Sequence, residues 1–282
     1  MGYTVITGAC GGLGRAFSFL LASRKENLLL LGRSEERLKA LRDELNQKHG
    51  VQPLIYQLDL TDEAARSGFS EYLTSEKLTV SRLINVAGAD IQKPFEAYTQ
   101  EKLTFQLRAN LEGAISLCHA AFCHRGEGLE IVNICSVSGL YPMPYFALYS
   151  ASKRALWDFS VSLREEWKKY GVKVTAVLPG AIPTRDDVKE QIKGQGLWGK
   201  IAAKSPEFVA KKSLFAVKKN RRTYVVGFAN RCMRFFTSFL PISWKLRFIA
   251  RRWSKISKDA FYPVSYAALQ APFPFLLPVK MR

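Results

Sequence analysis

Histidine is scarce in this chain, three residues among 282, and cysteine is present only at Cys10, Cys118, Cys123, Cys135 and Cys232. Five cysteines at irregular spacing imply no disulfide framework. Cys118, His119, Cys123 and His124 fall close together, but no second Cys or His pair supplies another arm, and their offsets suit one partly apolar helical face; no metal is expected. No basic segment and apolar stretch precede the first apolar run at Tyr3, and Ile6 stands where N-terminal acylation needs Ser or Thr. The expectation is therefore no leader peptide, no myristoyl anchor and a place inside the cell. Acidic residues are few, 24 against 42 Lys and Arg, for a formal net charge of +18. Residues 200–258 hold sixteen Lys and Arg against one acid, Glu207, so the excess belongs to the tail and the first 199 residues read as an ordinary solvated domain. The one long uncharged run, residues 260–279, contains Pro263, Pro272, Pro274 and Pro278, which excludes a straight membrane-spanning helix.

What is present begins with residues 3–21, a short apolar strand, a glycine turn and an amphipathic helix. Gly8, Gly12 and Gly14 are spaced for a tight turn, a close backbone approach to a phosphate and a close helix–sheet contact, so the helix start can face a pyrophosphate. Strand and helix signals then alternate. Strands are expected at residues 4–7, 28–31, 51–57, 81–85, 129–135 and 172–177, and helices at 13–25, 34–48, 62–75, 99–123 and 149–170. Short apolar strands separated by helices define an α/β fold, a doubly wound parallel sheet covered on both faces, with ligands at the carboxyl ends of the strands. Residues 223–227 supply a last strand, which brings the sheet to about seven. Residues 1–230 are expected to form one nucleotide-binding catalytic domain and residues 231–282 a basic and apolar extension.

The second strand ends in Gly32-Arg33 where an acid would bind a ribose hydroxyl pair; Arg33 can instead meet a 2′-phosphate, favouring NADP over NAD. Asp59-Leu60, after the third strand, can lie by the adenine, and Asp59 can also cap the next helix. Tyr149 and Lys153 are four apart, one turn along one helix face. A cationic Lys beside a phenol stabilises the phenolate, as a proton donor and acceptor for a carbonyl/alcohol pair requires. Ser136, at the end of the preceding strand, can hydrogen-bond the same substrate oxygen.

Taken together these motifs resemble the short-chain dehydrogenase/reductase family. Its glycine motif is matched by Thr7-Gly8-Ala9-Cys10-Gly11-Gly12-Leu13-Gly14 and its Asn-Asn-Ala-Gly element by Asn85-Val86-Ala87-Gly88, with Val86 in place of the second Asn. Asn110 falls on the residue that holds a water in the family's proton relay; Ser136, Tyr149 and Lys153 fall on the catalytic positions, and Pro179, Gly180, Ile182 and Thr184 on the segment that frames the nicotinamide. Gly11 departs from the basic residue that NADP-preferring members often carry there, so the NADP preference rests on Arg33. The resemblance implies a Rossmann-type fold and an enzyme that transfers hydride between the nicotinamide of NADP (NADPH), NAD being disfavoured, and a carbonyl or secondary alcohol.

Residues 140–148, aromatic and apolar without a charge, should border the site, and residues 194–199 read as a lid with a bulky apolar tip. Such walls suit a small lipophilic ketone or alcohol, steroid, acyl-chain or similar. Residues 243–258 read as a helix that interleaves Trp244, Phe248 and Trp253 with six cations, the composition of a helix on an anionic lipid surface. A peripheral place on the cytoplasmic side of a membrane follows, with residues 260–279 shallow in the interface or folded over the mouth of the site. Nucleic acid is not expected, because no groove-reading motif accompanies the charge. Self-association through the helices at 99–124 and 149–170 stays open, as does a protein that keeps fold and cofactor but serves as a membrane-tethered sensor or scaffold.

Cofactor choice is the most direct consequence of the residues. NADPH should bind about tenfold or more tighter than NADH, and Arg33→Ala should remove most of the gap. Fluorescence titration with both cofactors measures it, and equal affinities in the parent protein would contradict the assignment.

Overall fold

The structure is a computed structural model and describes residues 2–184, 188, 192 and 201–254. Seven parallel strands lie in the order β3-β2-β1-β4-β5-β6-β7: β1 (Tyr3–Thr7), β2 (Leu28–Gly32), β3 (Leu54–Gln57), β4 (Val80–Asn85), β5 (Arg125–Ile134), β6 (Lys173–Leu178) and β7 (Thr223–Val225). The four leucines of β2 show why the sheet is covered on both faces. Leu28 and Leu30 join one buried cluster, Leu29 and Leu31 the other, as the period-2 alternation of a strand requires.

Helices α1 (Gly12–Ala22), α2 (Glu35–His49) and α7 (Pro206–Lys218) cover the first face through Phe17, Leu21, Leu38, Leu41, Val209 and Leu214. Helices α3 (Glu63–Ser75), α5 (Gly113–Cys123) and α6 (Ala147–Trp167) contribute Phe69, Leu73, Leu117 and Leu163 to the second. The caps are local: Ser34 Oγ accepts from Arg37 N, Asp62 Oδ1 from Ala64 N and Ala65 N, and Ser205 Oγ from Phe208 N ahead of Pro206. Asp62, not Asp59, therefore caps the helix after β3. Asp59 closes a tighter turn, accepting from both Thr61 N and Thr61 Oγ1 at 2.8 Å.

Further boundaries differ from expectation: β3 begins at Leu54 and not at residue 51, and α1 ends at Ala22 and not at residue 25. The helical region at 99–123 divides into α4 (Gln100–Leu107) and α5, joined by a π-helical turn, Arg108–Glu112. β5 starts at Arg125 because that residue pairs with Val80 of β4, ahead of a register irregularity before the Arg82–Glu130 pair. After β7 the chain forms α8 (Phe228–Ser238) and α9 (Ile242–Trp253); the expected division after residue 230 falls inside α8. The expected lid at 194–199 and the run at 260–279 lie outside the described residues. The strand order reverses between β1 and β4, so a crevice opens at their carboxyl ends, the place where such sheets bind ligands.

Candidate active site

The floor of the crevice is the turn from β1 into α1. Gly8 takes φ +60, and a side chain there would press on the Ala87 backbone, while one at Gly14 would collide with the Gly8 carbonyl oxygen. Thr7 Oγ1 accepts from Val86 N at 2.9 Å and Ala87 N at 3.0 Å, so the ends of β1 and β4 are tied together. Gly11 is the N-cap of α1 and offers no side chain to its first turn, which contains no acid. The N–H groups at the start of α1, with Leu13 and Gly14 in that turn, are thus left for an anion, and a dinucleotide pyrophosphate fits this donor set. Thr184 closes over Gly12, where an added Cβ would lie 2.7 Å from the threonine side chain.

Arg33 is exposed at the end of β2, its guanidinium 5.9 Å from the Phe105 ring centre and its carbonyl oxygen accepting from Gln57. A second cation was not singled out in the sequence. Arg37, one turn along in α2, donates to the Cys10 carbonyl oxygen at 3.1 Å and stands over the glycine turn. Its signal was a second Arg in the first turn of the helix that follows Gly32-Arg33. Asn85, by contrast, turns away from the crevice: its Nδ2 donates to Asn133 Oδ1 at 2.9 Å and to Ala114 O at 3.2 Å, beneath α5. Leu60 is buried beside Gly113, with its carbonyl oxygen accepting from Arg66 at 2.7 Å, and Arg66 also pairs with Glu112.

The π turn sets the height of Asn110. Its Oδ1 accepts from Ala89 N at 2.6 Å, and its Nδ2 donates to Ala89 O at 2.8 Å and Ser152 Oγ at 3.2 Å. A side chain at Gly88 would come within 2.9 Å of Asn110 Oδ1 and 3.2 Å of Lys153 Nζ, so the β4 loop, the π turn and α6 converge here. Lys153 is buried, donates to Ile134 O at 3.0 Å and lies 5.8 Å from the Tyr149 ring centre. Ser136 is the N-cap of a short 3-10 turn, with Oγ accepting from Ser138 N at 3.1 Å, which leaves its hydroxyl proton to donate. Burial pushes the Cys135 thiol next to Ser136 up to about 12, so it is no nucleophile.

On the far side, Pro179 O accepts from Val137 N, and Gly180 lies under Asn230 of α8, whose Nδ2 donates to Ala202 O and Val226 O. Ile182 packs on the α1 face, and its carbonyl oxygen accepts from Thr184 N. The four residues at 118–124 do not converge: Cys118 points into the core toward Asn85 and Asn133, whereas His119 and Cys123 are exposed. Among the described residues no three His, Cys, Asp or Glu side chains are grouped to hold a metal.

The tail helix reaches the site. Met143, Phe146 and Ile249 form a small buried cluster with Tyr141, Tyr149 and Trp253 around it. The rings of Phe146 and Tyr149 stack at 4.3 Å and 12°, and those of Phe146 and Trp253 at 6.4 Å and 27°. The extension was expected either to lie on lipid or to cover the site, and its helix α9 packs on residues 141–149 with one edge.

A family model described as short chain dehydrogenase matches residues 3–193. Sulfoacetaldehyde reductase 2 of Chromohalobacter salexigens is 34% identical over 184 residues, 64% of this chain and 72% of that one. Human 17-beta-hydroxysteroid dehydrogenase type 3 is 31% identical over 187 residues, 64% of this chain, which thus spans 59% of the human enzyme's length. Among solved structures, a short-chain dehydrogenase from Sphingobium yanoikuyae in complex with NADPH superposes with a TM-score of 0.68 over 86% of this chain and 97% of that one; at 24% identity this likeness concerns the fold.

Burial is the largest influence on Lys153 and lowers its pKa from the ordinary 10.5, against smaller raising effects of Cys135 and Asp90. Unfolding returns the ammonium to water, so between the lowered value and 10.5 the unfolded chain binds more protons and stability rises with pH. Urea midpoints of the cofactor-free parent, minus those of Lys153→Met, should therefore climb as the pH rises toward 10.5. A flat difference would mean the ammonium is not desolvated.

Proposed function

The chain belongs to the short-chain dehydrogenase family, and from that premise we propose that it is an NADPH-dependent reductase of a lipophilic ketone, working reversibly on the corresponding secondary alcohol. One observation carries the reading: Lys153, buried under the β5 carbonyl of Ile134, stands beside Tyr149 and beside Gly88 at the mouth of the crevice that begins at the uncapped start of α1.

Thr7, Gly8, Gly11, Gly12, Leu13 and Gly14 would hold the pyrophosphate; Arg33 with Arg37 would take the 2′-phosphate, two guanidiniums being better matched to it than one. Asp59 and Leu60 would border the adenine. Asn85 would act through its backbone, its amide serving the core, while Ala87, Gly88, Pro179, Gly180, Ile182 and Thr184 would line the path to the nicotinamide. When bound, the reduced nicotinamide supplies the hydride that adds to the carbonyl carbon, leaving NADP and, once the oxygen is protonated, an alcohol. Ser136 donates its hydroxyl proton as a hydrogen bond to the carbonyl oxygen and polarises it. Tyr149 gives its phenolic proton to that oxygen as negative charge develops, and the Lys153 cation stabilises the phenolate left behind. Asn110 clamps Ala89 from both sides, which fixes the loop beside Lys153 and positions the water that returns a proton through Lys153 to Tyr149.

The substrate is assigned from the walls: Tyr141, Met143, Phe146, Ile249 and Trp253 around Tyr149 offer rings and alkyl groups and no charge. That suits a body such as the one named for the steroid dehydrogenase relative better than the short sulfonate named for the bacterial one. We also assign residues 231–282 to surface attachment. Phe235, Phe236, Phe239, Ile242, Trp244 and Phe248 are each 52–72% exposed, among Arg231, Arg234, Lys245, Arg247 and Arg251, and residues 228–254 contain no acid. Exposed apolar side chains at this density on two consecutive helices, interleaved in sequence with cations, match an anionic bilayer. No helix among the described residues is long and apolar enough to cross one.

Tyr149→Phe should leave NADPH affinity nearly intact and cut ketone turnover by about a hundredfold or more, because the hydroxyl acts on the transferred proton. Fluorescence titration and NADPH oxidation across a ketone panel check both halves; turnover surviving within about threefold would refute the assigned role.

For attachment, the parent protein should co-sediment with phosphatidylglycerol vesicles and be partly released by high salt. Replacing Phe235, Phe236, Phe239 and Phe248 together by Ser should weaken binding about tenfold or more, with the fold checked by circular dichroism. A folded parent that stays in the supernatant would end the surface assignment.

A further inference from the structure

Helix α9 presents two edges with different neighbours. Ile249 and Trp253 face Met143 and Phe146, and through the Phe146 ring they stand in line with Tyr149. Trp244 and Phe248 are 62% and 67% exposed. Phe248 and Ile249 are consecutive, about 100° apart around the helix, so the edge that would meet lipid and the edge that covers the site share a border. Segment 141–146 is held by the same two tail helices. Thr237 Oγ1 of α8 donates to Tyr141 Oη at 3.5 Å, and Lys245 Nζ of α9 lies 5.9 Å from the Tyr141 ring centre. Burial raises the Tyr141 phenol's pKa, so this phenol carries no charge at neutral pH. The seam between α9 and residues 141–146 is thus lined by apolar side chains from Ile249 and Trp253 through Phe146 to Tyr149, with the Lys245 cation over the Tyr141 ring at its edge.

From this we infer that the substrate is a bilayer-resident amphiphile, a long-chain ketone or its alcohol, that reaches Tyr149 along this seam without passing through water, with Ile249 and Trp253 in contact with its chain. The inference rests on both assignments above, the oxidoreductase and the anionic surface. Its physical basis is that each methylene drawn from lipid into water costs free energy, whereas one moved from lipid onto Ile249, Trp253 and Phe146 stays in apolar surroundings. Docking by the outer edge of α9 would place the seam at the level of the acyl chains, where such a ketone already lies.

The test uses the full chain, NADPH and two ketones. One is 2-hexanone in solution; the other is 2-octadecanone at equal mole fraction in vesicles of phosphatidylcholine alone or of phosphatidylcholine with phosphatidylglycerol. Equal mole fraction gives the long ketone about the same activity in water over both vesicles, so only enzyme docked on the donor membrane gains from the anionic lipid. Reduction of 2-octadecanone should be about tenfold or more faster from the anionic vesicles and lose that advantage at high salt, while 2-hexanone reduction changes by less than about twofold. Trp253→Ala should lower kcat/KM for the long ketone about tenfold relative to the short one, a change of selectivity that a purely structural role would not produce. Equal long-ketone rates from both vesicles with the enzyme bound to the anionic ones, or a Trp253→Ala loss shared by both ketones, would overturn the inference alone. No reduction of either ketone would remove the oxidoreductase assignment, and reduction of 2-hexanone without vesicle binding would remove the surface assignment. Either of those takes this inference with it.

Discussion

Two backbones that approach too closely for side chains set the geometry of everything above them. At Gly8 the β1 turn presses on Ala87, and at Gly14 the first turn of α1 presses back on Gly8, so the start of the helix, the end of β1 and the loop after β4 form one rigid corner. The hydroxyl of Thr7 locks it by accepting two N–H groups from that loop. A corner of this kind needs no flexible side chain to shape an anion site, because the donors are main-chain groups fixed by the fold. The same loop carries on to Gly88 and Ala89, where Asn110 grips it from the π turn and Lys153 comes alongside. The glycine corner and the cluster of Asn110, Lys153 and Tyr149 are thus two ends of one short segment.

The tail belongs to this arrangement more closely than its charge suggests. Sixteen cations against one acid between residues 200 and 258 describe an electrostatic surface, yet α9 buries Ile249 against the loop beside Tyr149. At an anionic surface a long-range attraction, dependent on salt, would act on the same helix as this short-range packing contact, which is independent of it. Their energies need not oppose each other, since they use different edges.

Much of this was legible in the residues. Leucine runs and helical periodicity marked the strands and the helices that cover them, and the spacing of Gly8, Gly12, Gly14, Tyr149 and Lys153 marked the corner and the cluster. What escaped has identifiable causes. A π turn adds one residue to a helix without changing its composition, so 99–123 read as continuous. Asp59 and Asp62 are equally good caps in sequence, and only the backbone direction after β3 chooses between them. Arg37 lay in a helix start that read as ordinary solvated surface, and α7 and α8 lay in a stretch whose charge masked its periodicity. An amphipathic helix such as α9 also states that it has an apolar face but not whether protein or lipid will meet it.

The buried amides beneath α5 carry one more consequence. Asn85 and Asn133 are register partners on neighbouring strands, joined side chain to side chain, and Asn133 Nδ2 continues to Ser160 Oγ of α6 at 2.9 Å. A slip of β4 against β5 by one residue would turn one amide to the opposite face and strand both in hydrocarbon, at a cost of several hydrogen bonds. The pair therefore works as an alignment key. It sits at the last rung of the ladder, and the segments that leave the sheet just beyond it are the ones that end in Gly88 and Ser136. How level those two loops stand is decided by a pair of amides that no ligand reaches.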